Sequence, residues 1–134
     1  MTRITTDEDQ SALLYGDETY AAIGICMDVH RTLGHGFLEI VYKDAIEFEL
    51  GNRNLSYERE KQYKIEYKGS ILPHKFYADF VISNKIILEV KAAEGGLADE
   101  QIAQTINYLK ASGCKIGLLM NFGRSKLQHK RLIF

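Results

Sequence analysis

Tyr77-Ala78-Asp79-Phe80-Val81-Ile82-Ser83-Asn84-Lys85-Ile86-Ile87-Leu88-Glu89-Val90-Lys91 decides how this sequence folds. Two apolar, β-branched runs flank the polar segment Ser83-Asn84-Lys85. Such runs joined by turn residues predict a β-hairpin. Side chains alternate between faces along a strand, so Glu89 and Lys91 share a face and Val90 points the other way. Gathering Asp79, Glu89 and Lys91 on one patch of sheet is costly unless something uses the charges. A divalent cation would.

Working outward, the odd positions Tyr63, Ile65 and Tyr67 alternate with polar residues, which predicts a half-exposed strand within Tyr57 to Tyr67. Lys68-Gly69-Ser70 is a turn, and segments around His74–Ser83 and Lys85–Ala92 complete an antiparallel meander. Pro73 suits a strand start or edge. After Gly95-Gly96, a helix is expected from about Leu97 to Ser112, with Ile102, Ile106 and Leu109 as its core stripe and Gly113 as its cap. Lys115 to Phe122 is almost continuously apolar, as a strand buried on both faces should be. Gly123-Arg124-Ser125 turns the chain into a last edge strand over Leu127–Phe134.

Upstream, Asp17 is a plausible N-cap for a helix ending near Leu33, with Tyr20, Ile23, Met27 and His30 on one face. Gly34-His35-Gly36 breaks it. A second helix follows from about Phe37 to Leu50, with Leu38, Val41, Tyr42, Ala45, Ile46 and Phe48 as apolar positions and Gly51-Asn52 as C-cap. Residues 1–16 read as a polar lead-in and residues 17–134 as one domain. The order ααβββαββ predicts an α/β (α+β) fold, a mixed sheet flanked by helices.

The chain has 134 residues, of which 46% are apolar, enough for one domain with a real core. No apolar run reaches the roughly 18 residues that span a bilayer. The first ten residues are too polar for a signal peptide, so a cytoplasmic address and no membrane partner are expected. Cys26 and Cys114 are too few for a four-cysteine metal site and are expected to be buried thiols. Net charge is −1, which argues against gross affinity for nucleic acid, but residues 101–134 hold six Lys and Arg and no acid. That basic third either contacts phosphate or is a solvated face. Gly34-His35-Gly36 lacks the lysine and hydroxyl residues of a phosphate loop.

Asp79 followed by Glu89-Val90-Lys91 resembles the motif of the PD-(D/E)xK nuclease superfamily, and the expected αβββαβ order agrees with its restriction-endonuclease-like core. The resemblance implies that Asp79 and Glu89 bind Mg²⁺ or Mn²⁺ and that Lys91 assists the attacking water. Mg²⁺ takes oxygen ligands at about 2.0–2.1 Å, often one or two carboxylates plus substrate phosphate. The carbonyl of Val90 is a candidate further ligand. Bound metal lowers the pKa of water and neutralises developing charge. The bland reading is a structural Asp/Glu–Lys cluster at a sheet end.

Gln104 and Tyr108 lie at i, i+4 on one helix face. They match the Q-x-x-x-Y signature of the superfamily's recombination-exonuclease branch. There the glutamine borders the active site and the tyrosine helps place substrate. Gly36-Phe37-Leu38-Glu39-Ile40-Val41-Tyr42, with Val29-His30-Arg31-Thr32-Leu33-Gly34 before it, resembles the GxxExxY protein family, named for Gly36, Glu39 and Tyr42. Its pattern runs over roughly residues 18–134, with His35 where the family usually has proline. The resemblance makes Glu39 a candidate third metal carboxylate; otherwise it is a first-turn glutamate favoured by the helix dipole. Tyr42 is expected to pack or hydrogen-bond nearby. His30 is either a satisfied structural histidine or a substrate contact.

The expectation is therefore a Mg²⁺- or Mn²⁺-dependent nuclease acting on nucleic acid, DNA first. The competing expectation is a non-catalytic interaction module on the same scaffold, working as a homodimer or with a partner protein. Metal binding would separate the two.

Overall fold

The computed structural model describes residues 16–134; of the polar lead-in expected over residues 1–16, all but Gly16, which opens the first helix, lies outside them. Among the described residues the order is α1 (Gly16–Leu33), α2 (Glu39–Asn52), β1 (Tyr57–Tyr63), β2 (Glu66–Tyr67), β3 (Ser70–Ile71), β4 (Phe76–Ile82), β5 (Ile86–Lys91), α3 (Asp99–Ser112), β6 (Ile116–Asn121) and β7 (Gln128–Ile133). One five-stranded sheet has the order β1-β4-β5-β6-β7, and β2 and β3 form a separate two-stranded ribbon.

The hairpin is β4–β5, antiparallel, with Phe80 opposite Leu88, Val81 opposite Ile87 and Ile82 opposite Ile86. Ser83 and Asn84 both take positive φ, 54° and 56°, and Lys85 N–H donates to the Ile82 carbonyl at 3.0 Å. Positive φ at both central positions is the type I′ geometry whose twist matches that of the flanking strands. A parallel pair cannot be joined by a tight turn, so β5 reaches β6 through α3. That crossover puts α3 on one face of the sheet while α1 and α2 cover the other.

The larger core lies under α1 and α2, where Ile25, Val29, Tyr42 and Ile46 meet Phe80, Leu88, Val90, Leu118 and Phe122. The smaller lies under α3, where Ile106 and Leu109 meet Ala78, Val81, Ile87 and Leu132. All six residues of β6 are buried, as its apolar run predicts. A Cβ on Gly117 would sit 3.0 Å from Thr105 Cγ2 and 3.3 Å from Leu109 Cδ1. The bare backbone there is what lets α3 close down on β6.

Three expectations need correction. In α1 the buried face carries Thr19, Ala22, Ile25, Cys26, Val29 and His30, while Tyr20 is 81% and Met27 48% exposed. Small residues allow the helix to approach the sheet closely, so they face inward and the larger Tyr20 and Met27 face out. In α2, Tyr42, Ile46 and Leu50 are buried, whereas Leu38 and Phe48 are exposed. The helix also runs through Gly51-Asn52 and ends at Arg53, whose N–H bonds the Glu49 carbonyl. The strand expected to reach Tyr67 stops at Tyr63; Glu66–Tyr67 belongs to the ribbon, whose turn at Lys68 and Gly69 also has positive φ.

Candidate active site

The β4–β5 ladder ends at Phe80–Leu88. In that register Asp79 and Glu89 would be the next pair, and there the two strands part. Side chains take over from main chain. The Asp79 N–H donates to Glu89 Oε2 at 2.8 Å, and the Val90 N–H donates to Asp79 Oδ2 at 2.8 Å. Each carboxylate thus satisfies a buried amide that the ladder no longer serves. Asp79 is 8% and Glu89 3% exposed.

Face alternation also breaks here. Phe80 belongs to the core under α1 and α2, yet Ala78, two residues earlier, belongs to the core under α3. On the neighbouring strand, Arg59 pairs with Phe80 and Lys61 with Ala78, while Glu60 between them has φ +53° and no ladder partner. A non-glycine residue with such a backbone inside a strand is strained. The distortion sets Asp79 between elements from both faces of the sheet.

From one side comes Lys43 of α2, whose Nζ lies 2.8 Å from Asp79 Oδ1 and 3.3 Å from Glu60 Oε1. Burial works against its charge, but the hydrogen bonds and charges of Asp79 and Glu60 more than offset that and raise its pKa. Sequence reading missed Lys43. The available signal was its place four residues after Glu39 as the lone base of an acidic helix.

From the other side comes Tyr108 of α3. Its ring stacks on Phe76 with centroids 4.1 Å apart, and Phe76 stacks in turn on Tyr63 at 5.2 Å. Burial first, then the charges of Glu89 and Asp79, push the Tyr108 phenol up. Gln104 and Tyr108 line a groove of about 970 Å³ between α3 and the β2–β3 ribbon, together with Phe76, Ile71, Lys64 and Asn107.

Burial, then the Asp79 charge, pushes the Glu89 carboxyl up to about 8; the hydrogen bond from the Asp79 amide and the charges of Lys91 and Lys43 oppose this only in part. Two buried carboxylates this close resist being ionised together. Lys91, half-buried, ends β5 opposite Asn121 of β6. The Asn121 side chain, missed by sequence reading, clamps the chain just beyond. Its Oδ1 accepts from Ala93 N–H at 2.8 Å and Gly123 N–H at 3.1 Å, and its Nδ2 donates to the Ala93 carbonyl at 2.8 Å. A buried Asn in a strand otherwise apolar was the signal.

The other residues singled out lie further from the pair. Glu39 is the exposed first residue of α2, one turn before Lys43 on the same face. His30 Nε2 is 2.8 Å from the Arg124 carbonyl, an acceptor, so this nitrogen donates and the ring braces the β6–β7 turn. Tyr42 is fully buried. It stacks on Phe122 at 4.7 Å and donates to the Gly34 carbonyl at 2.7 Å, pinning the glycine loop. Cys26 and Cys114 are buried and free, as expected.

A hard divalent cation fits the donor set of the pair. Both side chains are carboxylates, and an ammonium already stands as the cation against Asp79 Oδ1. Among the described residues no three His, Cys, Asp or Glu converge on one point. No helix among the described residues is long and apolar enough to cross a membrane.

A search of curated proteins finds no match. A solved structure titled "Crystal structure of SSO0001" is similar, with a TM-score of 0.55 and 24% identity over 71% of this chain; the match spans 50% of that chain. At that identity the likeness concerns the fold alone. The sequence model of the PD-(D/E)XK nuclease superfamily matches residues 16–132, nearly the whole chain and every residue of the parted hairpin. With its mixed sheet and flanking helices, the chain belongs to the PD-(D/E)XK nuclease superfamily.

Proposed function

We propose that this protein is a divalent-metal-dependent nuclease that cleaves phosphodiester bonds, with DNA as the first substrate to test. The observation that carries the reading is the parted hairpin, where the buried Asp79 and Glu89 meet at the point where β4 and β5 diverge, beside Lys91 and Lys43. Asp79, Glu89 and the Val90 carbonyl would hold Mg²⁺ or Mn²⁺, and Glu39 would approach from the start of α2. Such a cation supplies a more acidic water and neutralises charge on the reacting phosphate. Lys91 orients the attacking water and stabilises the developing anion. Gln104 and Tyr108 guide the strand from the adjoining groove, where Lys64 and Lys110 would meet phosphates beside Glu66 and Glu100. His30 acts by holding the β6–β7 turn. Both thiols are buried and unpaired, which suits a cytoplasmic protein.

The test incubates linear, circular and single-stranded DNA, and RNA, with Mg²⁺ or Mn²⁺ and the wild type, Asp79→Asn or Lys91→Ala. Metal-dependent cleavage that both substitutions abolish supports the reading. Equal activity in all three proteins refutes it, and no cleavage alongside intact metal binding favours a non-catalytic module.

A further inference from the structure

We propose that Lys43 is a built-in rival of the divalent cation: its ammonium holds Asp79 until metal enters and then passes to Glu60. The inference rests on reading Asp79 and Glu89 as the metal site.

The argument begins with the two oxygens of Asp79. Oδ2 already accepts from the Val90 N–H, which has to be satisfied because it is buried. Among the described residues Oδ1 has no main-chain donor and is the more open of the two, and it is the atom that Lys43 holds at 2.8 Å. A metal ion and the ammonium are therefore like charges seeking the same carboxylate, and they compete for it. Lys43 arrives from α2 rather than from the sheet, on a stem of four methylenes with freely rotating bonds. It can leave without disturbing β4 or β5.

It also has somewhere to go. Glu60 Oε1 is already 3.3 Å from the same nitrogen. Glu60 lies across from Asp79 on β1, held there by its unusual backbone at φ +53°. Its side chain is 48% exposed against 12% for Asp79, so an ammonium resting on it keeps more of its water. A swing of this length exchanges a buried ion pair for a more hydrated one and frees Oδ1. Metal affinity is then set by the difference between the two resting places of Lys43, and lies below what an Asp–Glu pair alone would give.

The experiment measures Mn²⁺ binding by calorimetry, and by the electron-spin signal of free Mn²⁺, with no nucleic acid present. It compares the wild type with Lys43→Met, Lys43→Gln, Glu60→Gln and the Lys43→Met/Glu60→Gln double variant, each checked for fold by circular dichroism. Removing the rival should tighten Mn²⁺ roughly tenfold in either Lys43 variant. Glu60→Gln should weaken binding several-fold when Lys43 is present and much less when it is Met, because only a swinging lysine needs Glu60 to receive it. The inference is overturned if neither Lys43 variant binds more tightly, or if Glu60→Gln costs the same in both backgrounds. Absence of Mn²⁺ binding in every protein would overturn the metal site itself. Normal binding with no cleavage would leave the Lys43 result intact and remove the nuclease reading alone.

Discussion

Replacing Glu89 with Gln should make the metal-free protein more stable at alkaline pH than the wild type. Glu89 is 3% exposed and its carboxyl is raised from 4.5 to about 8, by burial first and then by Asp79. The folded chain thus keeps a proton that the unfolded chain releases near pH 4.5. Between pH 4.5 and about 8 the folded state binds more protons, so stability falls as pH rises through that window and levels off above it. At about 1.4 kcal/mol per pH unit the wild type loses on the order of 4 kcal/mol across it. Gln keeps an oxygen for the Asp79 N–H, now 2.8 Å from Glu89 Oε2, but carries no charge. The assay is urea unfolding in chelator at intervals from pH 5 to 9. With a urea slope of roughly 2 kcal/mol per molar, the wild-type midpoint should fall by about 2 M while that of Glu89→Gln stays nearly flat. Parallel pH profiles would refute the reasoning, since they would mean that Glu89 ionises in the folded state as freely as in water.

Gly123→Ala should destabilise the fold by about 2–3 kcal/mol and lower the melting temperature, because the new Cβ would lie 2.5 Å from the Ala93 nitrogen and 2.7 Å from the Ala92 carbonyl carbon. Tyr42→Phe should cost about 1–2 kcal/mol in chemical denaturation, since it removes the hydroxyl bond to the Gly34 carbonyl but leaves the ring on Phe122. Cys26 is wholly buried and its thiol is pushed up to about 12, so it should resist a thiol reagent at pH 8 in the native protein and react fully once unfolded.

Much of this structure was legible in the sequence where pattern and burial agree. The β4–β5 hairpin followed from its β-branched runs and turn, and the two-sided burial of β6 from an uninterrupted apolar run. The face of α1 was misread because hydrophobicity ranks Tyr20 and Met27 above Ala22 and Thr19, whereas close packing against a sheet favours the smaller side chains. The β2–β3 ribbon has two residues per strand, too short for any period to show. Asp79, Glu89, Gln104 and Tyr108 could be named because their spacing is local. Lys43 stood out only as the lone base of an acidic helix; its meeting with Asp79 joins residues 36 apart and depends on how α2 lies across the sheet. The strained backbone of Glu60 likewise leaves no trace in composition.

The parted hairpin also changes what conservation of Asp79 and Glu89 would signify. Their oxygens finish a hydrogen-bond ladder that the main chain abandons, so the hairpin would demand them even in a chain that had lost all chemistry. Alanine at Asp79 would strip a buried amide as well as a ligand, and its effect on turnover would be confounded with damage to the sheet. Selection for folding alone could preserve this pair. Lys91 carries no such structural debt to the ladder, so its persistence speaks more directly to chemistry than that of either acid.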